Sequence, residues 1–302
     1  MQAKSGISAP PDSTRKREGL PLRNALSVDV EDWFHVGAFE NVISRGDWAA
    51  LECRVERNTD ALLQMFDNAG IKATFFTLGW VAQRYPHLMR RVADAGHELA
   101  NHGSEHDRVF TLGREKFAAD IDRARKIIED TSGAKVTGYR APSFSIDQRT
   151  PWAHEVLAEQ GYAYSSSVAP VKHDHYGWAE APRFAFKPVA GSDLIEIPVT
   201  TAEFAGRRLA AGGGGFFRLL PYAFSRWAIR QVNNDAERPA IIYFHPWEID
   251  PGQPRVANAP IKSKLRHYTK LKAMAPKLER LMSDFRWDRL DVIVQVERER
   301  MG

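Results

Sequence analysis

Residues 73–106 read ATFFTLGWVAQRYPHLMRRVADAGHELANHGSEH. Ala73–Leu78 is a short apolar run of the kind that forms a buried strand, Val81–Ala95 has the length of a helix and meets Gly96 as its stop, and His97–Asn101 is the next strand. Strand, helix, strand is the unit of a parallel sheet covered by helices. The unit repeats on both sides. Upstream lie a strand at Leu26–Val30 and a helix at Arg57–Ala69, which carries Ala61, Leu62, Met65 and Phe66 at helical spacing and stops at Gly70. Downstream come a helix at Lys116–Thr131, a strand at Val136–Arg140, a helix at Pro151–Gln160, and strands at Tyr162–Ser166, Leu194–Pro198 and Ala240–His245. This is an α/β pattern, and an α/β barrel of 302 residues is routinely one domain.

The stretch ends in His102 and His106. On one turn of helix, positions four apart lie over each other, so two imidazoles at this spacing can converge on one ion. The pair alone is a weak signal. Its weight rises with Leu26-Ser27-Val28-Asp29-Val30-Glu31-Asp32-Trp33, a strand that runs into three acids. Carboxylates at a strand end need a cation, a partner or solvent, and zinc and similar ions take imidazole nitrogen and carboxylate oxygen. Asp29 and Glu31, two apart on an extended chain, share one face. The acids, the histidine pair, Arg140 and His245 all follow apolar runs on the C-terminal side, where parallel α/β folds build their sites.

Composition bounds the function class. The chain is 43% hydrophobic with a net charge of +4, too small an excess to imply nucleic acid. One cysteine, Cys53, excludes an intramolecular disulfide and a multi-cysteine zinc cluster. No apolar run reaches the roughly 20 residues of a membrane span, and residues 1–20 lack the apolar centre of a signal peptide, so a cytoplasmic protein with a disordered leader is expected, with membrane association through partners as the alternative. Residues 21–302 then form a single catalytic domain, with an insertion at about 170–235 that holds a flexible Gly212–Gly215 linker and a helical stretch at Phe216–Val232. Leu265–Phe285 reads as a basic amphipathic helix whose lysines a solvated face explains better than membrane binding does, and Leu290–Val296 as a last strand.

Four motifs in order, VDVED, HGSEH, YRAPSF and YFHP, resemble the polysaccharide deacetylase superfamily, over residues 24 to 250. The DVEDW opening and the GYRAPSFSI segment look most like its bacterial branch associated with exopolysaccharide production and exosortase systems. The resemblance implies a distorted, seven-stranded (β/α) barrel and a metal-dependent hydrolase that removes N-acetyl groups from an amino-sugar polysaccharide. It implies His102 and His106 as metal ligands, Asp29 as general base, Arg140 as the arginine that orients it, and His245 as general acid. Val30 stands where the commonest family pattern places its metal aspartate, so Glu31 is the favoured third ligand and Asp32 the alternative. The implied cofactor is one divalent ion, zinc foremost. Asp147 is the candidate for the acid that tunes His245, Phe144, Trp152, Tyr243 and Trp247 are candidate sugar-stacking surfaces, and His173, Asp174 and His175 form a polar cluster without an assigned role. Expected partners are an N-acetylated polysaccharide or oligosaccharide and the exopolysaccharide machinery, without nucleic acid. The competing readings are an allantoinase-like or cyclic-imide amidohydrolase on the same fold and a non-catalytic carbohydrate-binding protein.

Overall fold

The computed structural model describes residues 22–172 and 177–302; the leader at 1–20 and the cluster at 173–175 lie outside them. Ten strands are present among the described residues: β1 Asn24–Val30, β2 Thr74–Thr77, β3 Glu98–Asn101, β4 Gly138–Tyr139, β5 Tyr164–Ser165, β6 Ile195–Glu196, the hairpin β7 Thr201–Phe204 and β8 Arg207–Ala210, β9 Ile241–Phe244 and β10 Trp287–Asp288. Seven run parallel in the order β9-β1-β2-β3-β4-β5-β6, a half-barrel, and β10 adds two residues beside the start of β1. Between β6 and β9 the wall is completed by loop backbone: Thr200 N–H donates to the Ile241 carbonyl at 3.1 Å and Tyr243 N–H to the Gly212 carbonyl at 2.8 Å.

Helices cover the outside: α1 Val55–Ala69, α2 Gly79–Arg84, α3 Pro86–Asp94, α4 Val109–Leu112, α5 Arg114–Ser132, α6 Trp152–Glu159, α7 Gly214–Leu219, α8 Tyr222–Arg230, α9 Ile261–Tyr268, α10 Met274–Asp284 and α11 Leu290–Met301. Strand alternation divides the core in two. Leu26, Val28 and Val30 of β1 pack outward with Leu62 and Phe66 of α1, and each such buried side chain is worth roughly 1.5–3 kcal/mol. Ala25, Phe76 and Ala100 point inward, where Leu290, Ile293 and Val294 of α11 meet them. Ser27 and Asp29, also inward, make the upper interior polar, and Arg140 fills it. No helix among the described residues is long and apolar enough to cross a membrane.

Several expected elements differ. The helix expected at 81–95 is two, because Pro86 cannot continue α2 and instead opens α3. The expected helix at 265–285 likewise breaks into α9 and α10 at Lys270, whose φ is 56°. Leu290–Val296 is not a strand. Leu290, Ile293, Val294 and Glu297 are its buried positions, a spacing of three and four that makes α11 despite the β-branched residues. Phe216–Val232 is interrupted at Pro221, between α7 and α8. The glycine run is no flexible linker: it lies against β9, where a Cβ at Gly212 would stand 2.7 Å from the Ile241 carbonyl oxygen and one at Gly214 would overlap the Glu248 carboxylate.

Candidate active site

Register sets the site. Val30, Thr77, Asn101 and Tyr139 lie level across four neighbouring strands, so the residues that follow them emerge together at the C-terminal edge. Glu31 follows β1, His102 follows β3 and Arg140 follows β4; His245 follows β9. The Nε2 atoms of His102 and His106 both lie 3.0 Å from Glu31 Oε1, and His245 Nε2 is 3.9 Å from the same oxygen.

The histidine pair does not sit on a helix. It occupies a loop in which Gly103 has φ 79° and His106 φ 59°. Asn101 Oδ1 accepts from Gly103 N–H at 2.7 Å and Asp120 Oδ2 from Ser104 N–H at 3.1 Å, and these bonds fold the loop back so that the rings converge. A side chain at Gly103 would be strained and would crowd Asp120.

The donor set suits a cation. His102 Nδ1–H donates to the Arg140 carbonyl at 2.8 Å, which turns Nε2 toward the Glu31 carboxylate oxygen. Two imidazole nitrogens and a carboxylate oxygen converging in a buried site are a donor set that a cation satisfies. Glu31, His102 and His106 form the one cluster of three or more such side chains among the described residues that could hold a metal ion. Burial alone would raise the Glu31 carboxyl, but the imidazoles of His106, His245 and His102 outweigh it and hold it well below the usual carboxylate range. Asp32, the alternative ligand, is committed elsewhere. Its Oδ2 accepts from the Arg54 and Val55 N–H groups at 2.6 and 2.9 Å, capping α1, and its Oδ1 from Trp33 N–H.

Asp29 lies beside the cluster and accepts from Arg140 Nη1 at 2.7 Å. Arg140 is fully buried and is fixed by Ser27 Oγ, Ser166 Oγ and the Ser166 carbonyl, with its guanidinium 4.0 Å over the Phe76 ring. On the opposite side, His245 Nδ1–H donates to Glu248 Oε1 at 2.9 Å and so presents Nε2 to the site. Burial opposes charge on His245, yet the carboxylates of Glu31, Glu248 and Asp29 lift its pKa to about 9. Glu248 is itself held at about 2 against its burial, chiefly by the charge of Arg218, whose Nε lies 2.6 Å from Oε2.

Glu248 and Arg218, which hold His245, are the residues of the candidate site that motif reading missed. The three-residue spacing from His245 through Pro246 to Glu248, a helix-start pattern, was the available signal for the first; nothing marked the second. Asp147 does not face His245: its carboxylate pairs with Arg149, the closest contact being 2.5 Å. Trp152 packs on Phe117 in the outer core. Trp247 is only 6% exposed and lies between two imidazoles, with His245 at 5.1 Å and His267 at 4.1 Å, so neither face is open to a sugar. Phe144 and Tyr243, 4.6 Å apart, both stand beside Arg140 at the site.

Residues 47–165 match the polysaccharide deacetylase family model. The segment that holds His102, His106 and Arg140 is therefore similar to the polysaccharide deacetylase family. Residues 166–295 match a second model, a domain of unknown function, DUF3473, which contributes His245, Glu248 and Arg218. Among relatives, a peptidoglycan deacetylase of Helicobacter pylori is 29% identical over 170 residues, 52% of this chain and 55% of that protein. A chitooligosaccharide deacetylase of Sinorhizobium fredii is 31% identical over 138 residues, 45% of this chain and 57% of that one. The chain therefore spans little more than half the length of these relatives. A solved structure from Mycobacterium smegmatis, provisionally named a polysaccharide deacetylase, covers 94% of this chain and 93% of its own with a TM-score of 0.61 at 20% identity, a likeness of fold. The half-barrel of this chain is thus the fold of that structure.

Proposed function

We propose that this protein is a metal-dependent hydrolase that removes N-acetyl groups from an amino-sugar polysaccharide, in the bacterial exopolysaccharide branch of its family. The observation that carries the reading is the meeting of three functions on one sheet edge: a Glu31-His102-His106 cluster, an acid paired with a buried arginine, and a histidine hydrogen-bonded to a carboxylate. The relatives' names, deacetylases of peptidoglycan and of chitooligosaccharides, support the substrate class.

Glu31, His102 and His106 would hold one divalent ion, zinc first among those that accept two imidazoles and a carboxylate. When bound, that ion supplies Lewis acidity toward water and the amide carbonyl. The remaining work falls to the chain. Asp29, oriented by Arg140, takes the proton of the attacking water. His245 enters protonated, because Glu248 holds its Nδ1–H, and delivers a proton from Nε2 to the departing amine nitrogen. Phe144 and Tyr243 shape the pocket for the acetyl group and its sugar.

Chelator-stripped protein is incubated with N-acetylated glucosamine oligomers, before and after addition of zinc, manganese or cobalt. Acetate release restored by one equivalent of metal is the expected result. Failure with every metal, in protein whose metal content has been measured, removes the deacetylase reading.

A further inference from the structure

The outer face of α9 carries two of the most exposed aliphatic side chains in the described structure. Ile261 is 75% exposed and Leu265 is 62% exposed, one helical turn apart on the same face. Pro260 beside them is exposed too. Around them the charge is one-sided. Residues 251–278 contain seven lysines and arginines and no aspartate or glutamate. Among the described residues Lys264, Lys270 and Lys272 form no ion pair: Lys264 Nζ donates to the Ala257 carbonyl, Lys270 Nζ to the Leu219 carbonyl, and the Lys272 side chain is exposed. A solvated face accounts for these cations alone, but not for two large aliphatic residues held out in water among them.

An apolar ridge flanked by cations is the pattern of a helix that lies in the plane of a membrane surface. We infer that α9 and the lysines that follow it dock this protein on a bilayer rich in anionic lipid, with Ile261 and Leu265 entering the headgroup boundary. Other occupants fit less well. A second copy of the chain would bring like charges together, and an acidic polysaccharide would find aliphatic side chains where sugar rings stack on aromatic ones. The opposite face of α9 reaches the site: His267 stacks on Trp247, which stacks on His245. Docking through the outer face would hold the site's rim beside the membrane, within reach of glycan at the lipid surface. The docking inference stands whether or not the deacetylase reading does, because its test reads binding and not turnover.

The test is co-sedimentation of the full chain with vesicles of phosphatidylcholine alone and of phosphatidylcholine containing phosphatidylglycerol, at low and high salt. Expected is binding to the anionic vesicles only, weakened by salt, with Ile261→Ser/Leu265→Ser reducing partitioning about tenfold or more through the loss of two apolar side chains. Lys264→Gln/Lys272→Gln should weaken binding as well, each cation adding attraction near an anionic surface. Circular dichroism confirms that both variants are folded. No binding to anionic vesicles, equal binding to neutral ones, or anionic binding unchanged by the Ile261→Ser/Leu265→Ser pair would overturn the inference. Retention by a soluble polyuronate with no binding to vesicles would overturn it in favour of an acidic-glycan surface.

Discussion

Replacing Glu248 by Gln tests the acid side of the site. The carboxylate lies 2.9 Å from His245 Nδ1 and 2.6 Å from Arg218 Nε, fully buried, so one substitution removes the charge that favours imidazolium and strips Arg218 of its partner. A hydrogen bond to a charged group is worth about 1.5–3 kcal/mol and a neutral one about 0.5–1.5, so the exchange costs the charged histidine roughly 1–1.5 kcal/mol, or about one pKa unit. The sign follows from the raised pKa: His245 is charged below it and loses its proton as pH rises through it. The wild-type alkaline limb should lie between 6.5 and 9, because a cation on Glu31 offsets part of the pull on His245. In Glu248→Gln the limb moves down by about one unit, so rates fall up to tenfold near pH 8 and change little near pH 6. Leaving Arg218 charged and unpaired should cost about 3–5 kcal/mol of stability, and Arg218→Met/Glu248→Gln should recover part of it while keeping the shifted limb. The assay is the pH profile of acetate release, with denaturant melts alongside. A limb that does not move in either variant, with metal occupancy verified, would refute the role given to Glu248.

Glu31→Gln and Asp32→Ala should separate cleanly: the first loses metal affinity by at least tenfold in calorimetric titration. The second keeps metal stoichiometry but loses about 2 kcal/mol or more, because the N–H groups of Trp33, Arg54 and Val55 are left without an acceptor. Asp29→Asn should keep fold and metal while turnover drops about 10²- to 10⁴-fold, checked by kcat at matched metal content. At the floor of the barrel, burial, reinforced by Asp291, raises Glu98 to about 7. Between 4.5 and 7 the native state keeps a proton that the unfolded chain has lost, so stability should fall with rising pH across that window, by at most about 3 kcal/mol. Glu98→Gln should remove that slope in urea melts taken from pH 5 to 7.5.

The parallel sheet was legible because its strands are short apolar runs with helix stops at Gly70 and Gly96 between them, and because the chemical residues follow those runs. Glu31 was legible from strand alternation, which puts it on the face of Asp29. What stayed hidden depends on tertiary contact. The histidine spacing suits a helix, but Gly103 and the side-chain bonds of Asn101 and Asp120 make a loop that brings the rings together by another route. Leu290–Val296 has the composition of a strand, and only its packing against the barrel floor selects the helix. Asp32 and Trp247 looked like site residues by proximity in sequence, yet one caps a helix and the other is enclosed between imidazoles. Arg218 lies 30 residues from the glutamate it holds, beyond the reach of any local pattern.

The most direct measurement follows N-acetylated glucosamine oligomers by mass spectrometry after incubation with metal-loaded wild type, metal-stripped wild type and metal-loaded Asp29→Asn. Loss of acetyl groups one at a time, equal numbers of free amines and acetate, unchanged chain length, and little or no reaction in the other two samples are predicted. Shortened oligomers, equal release by the stripped protein, or intact oligomers beside rapid opening of allantoin or a cyclic imide would contradict the account.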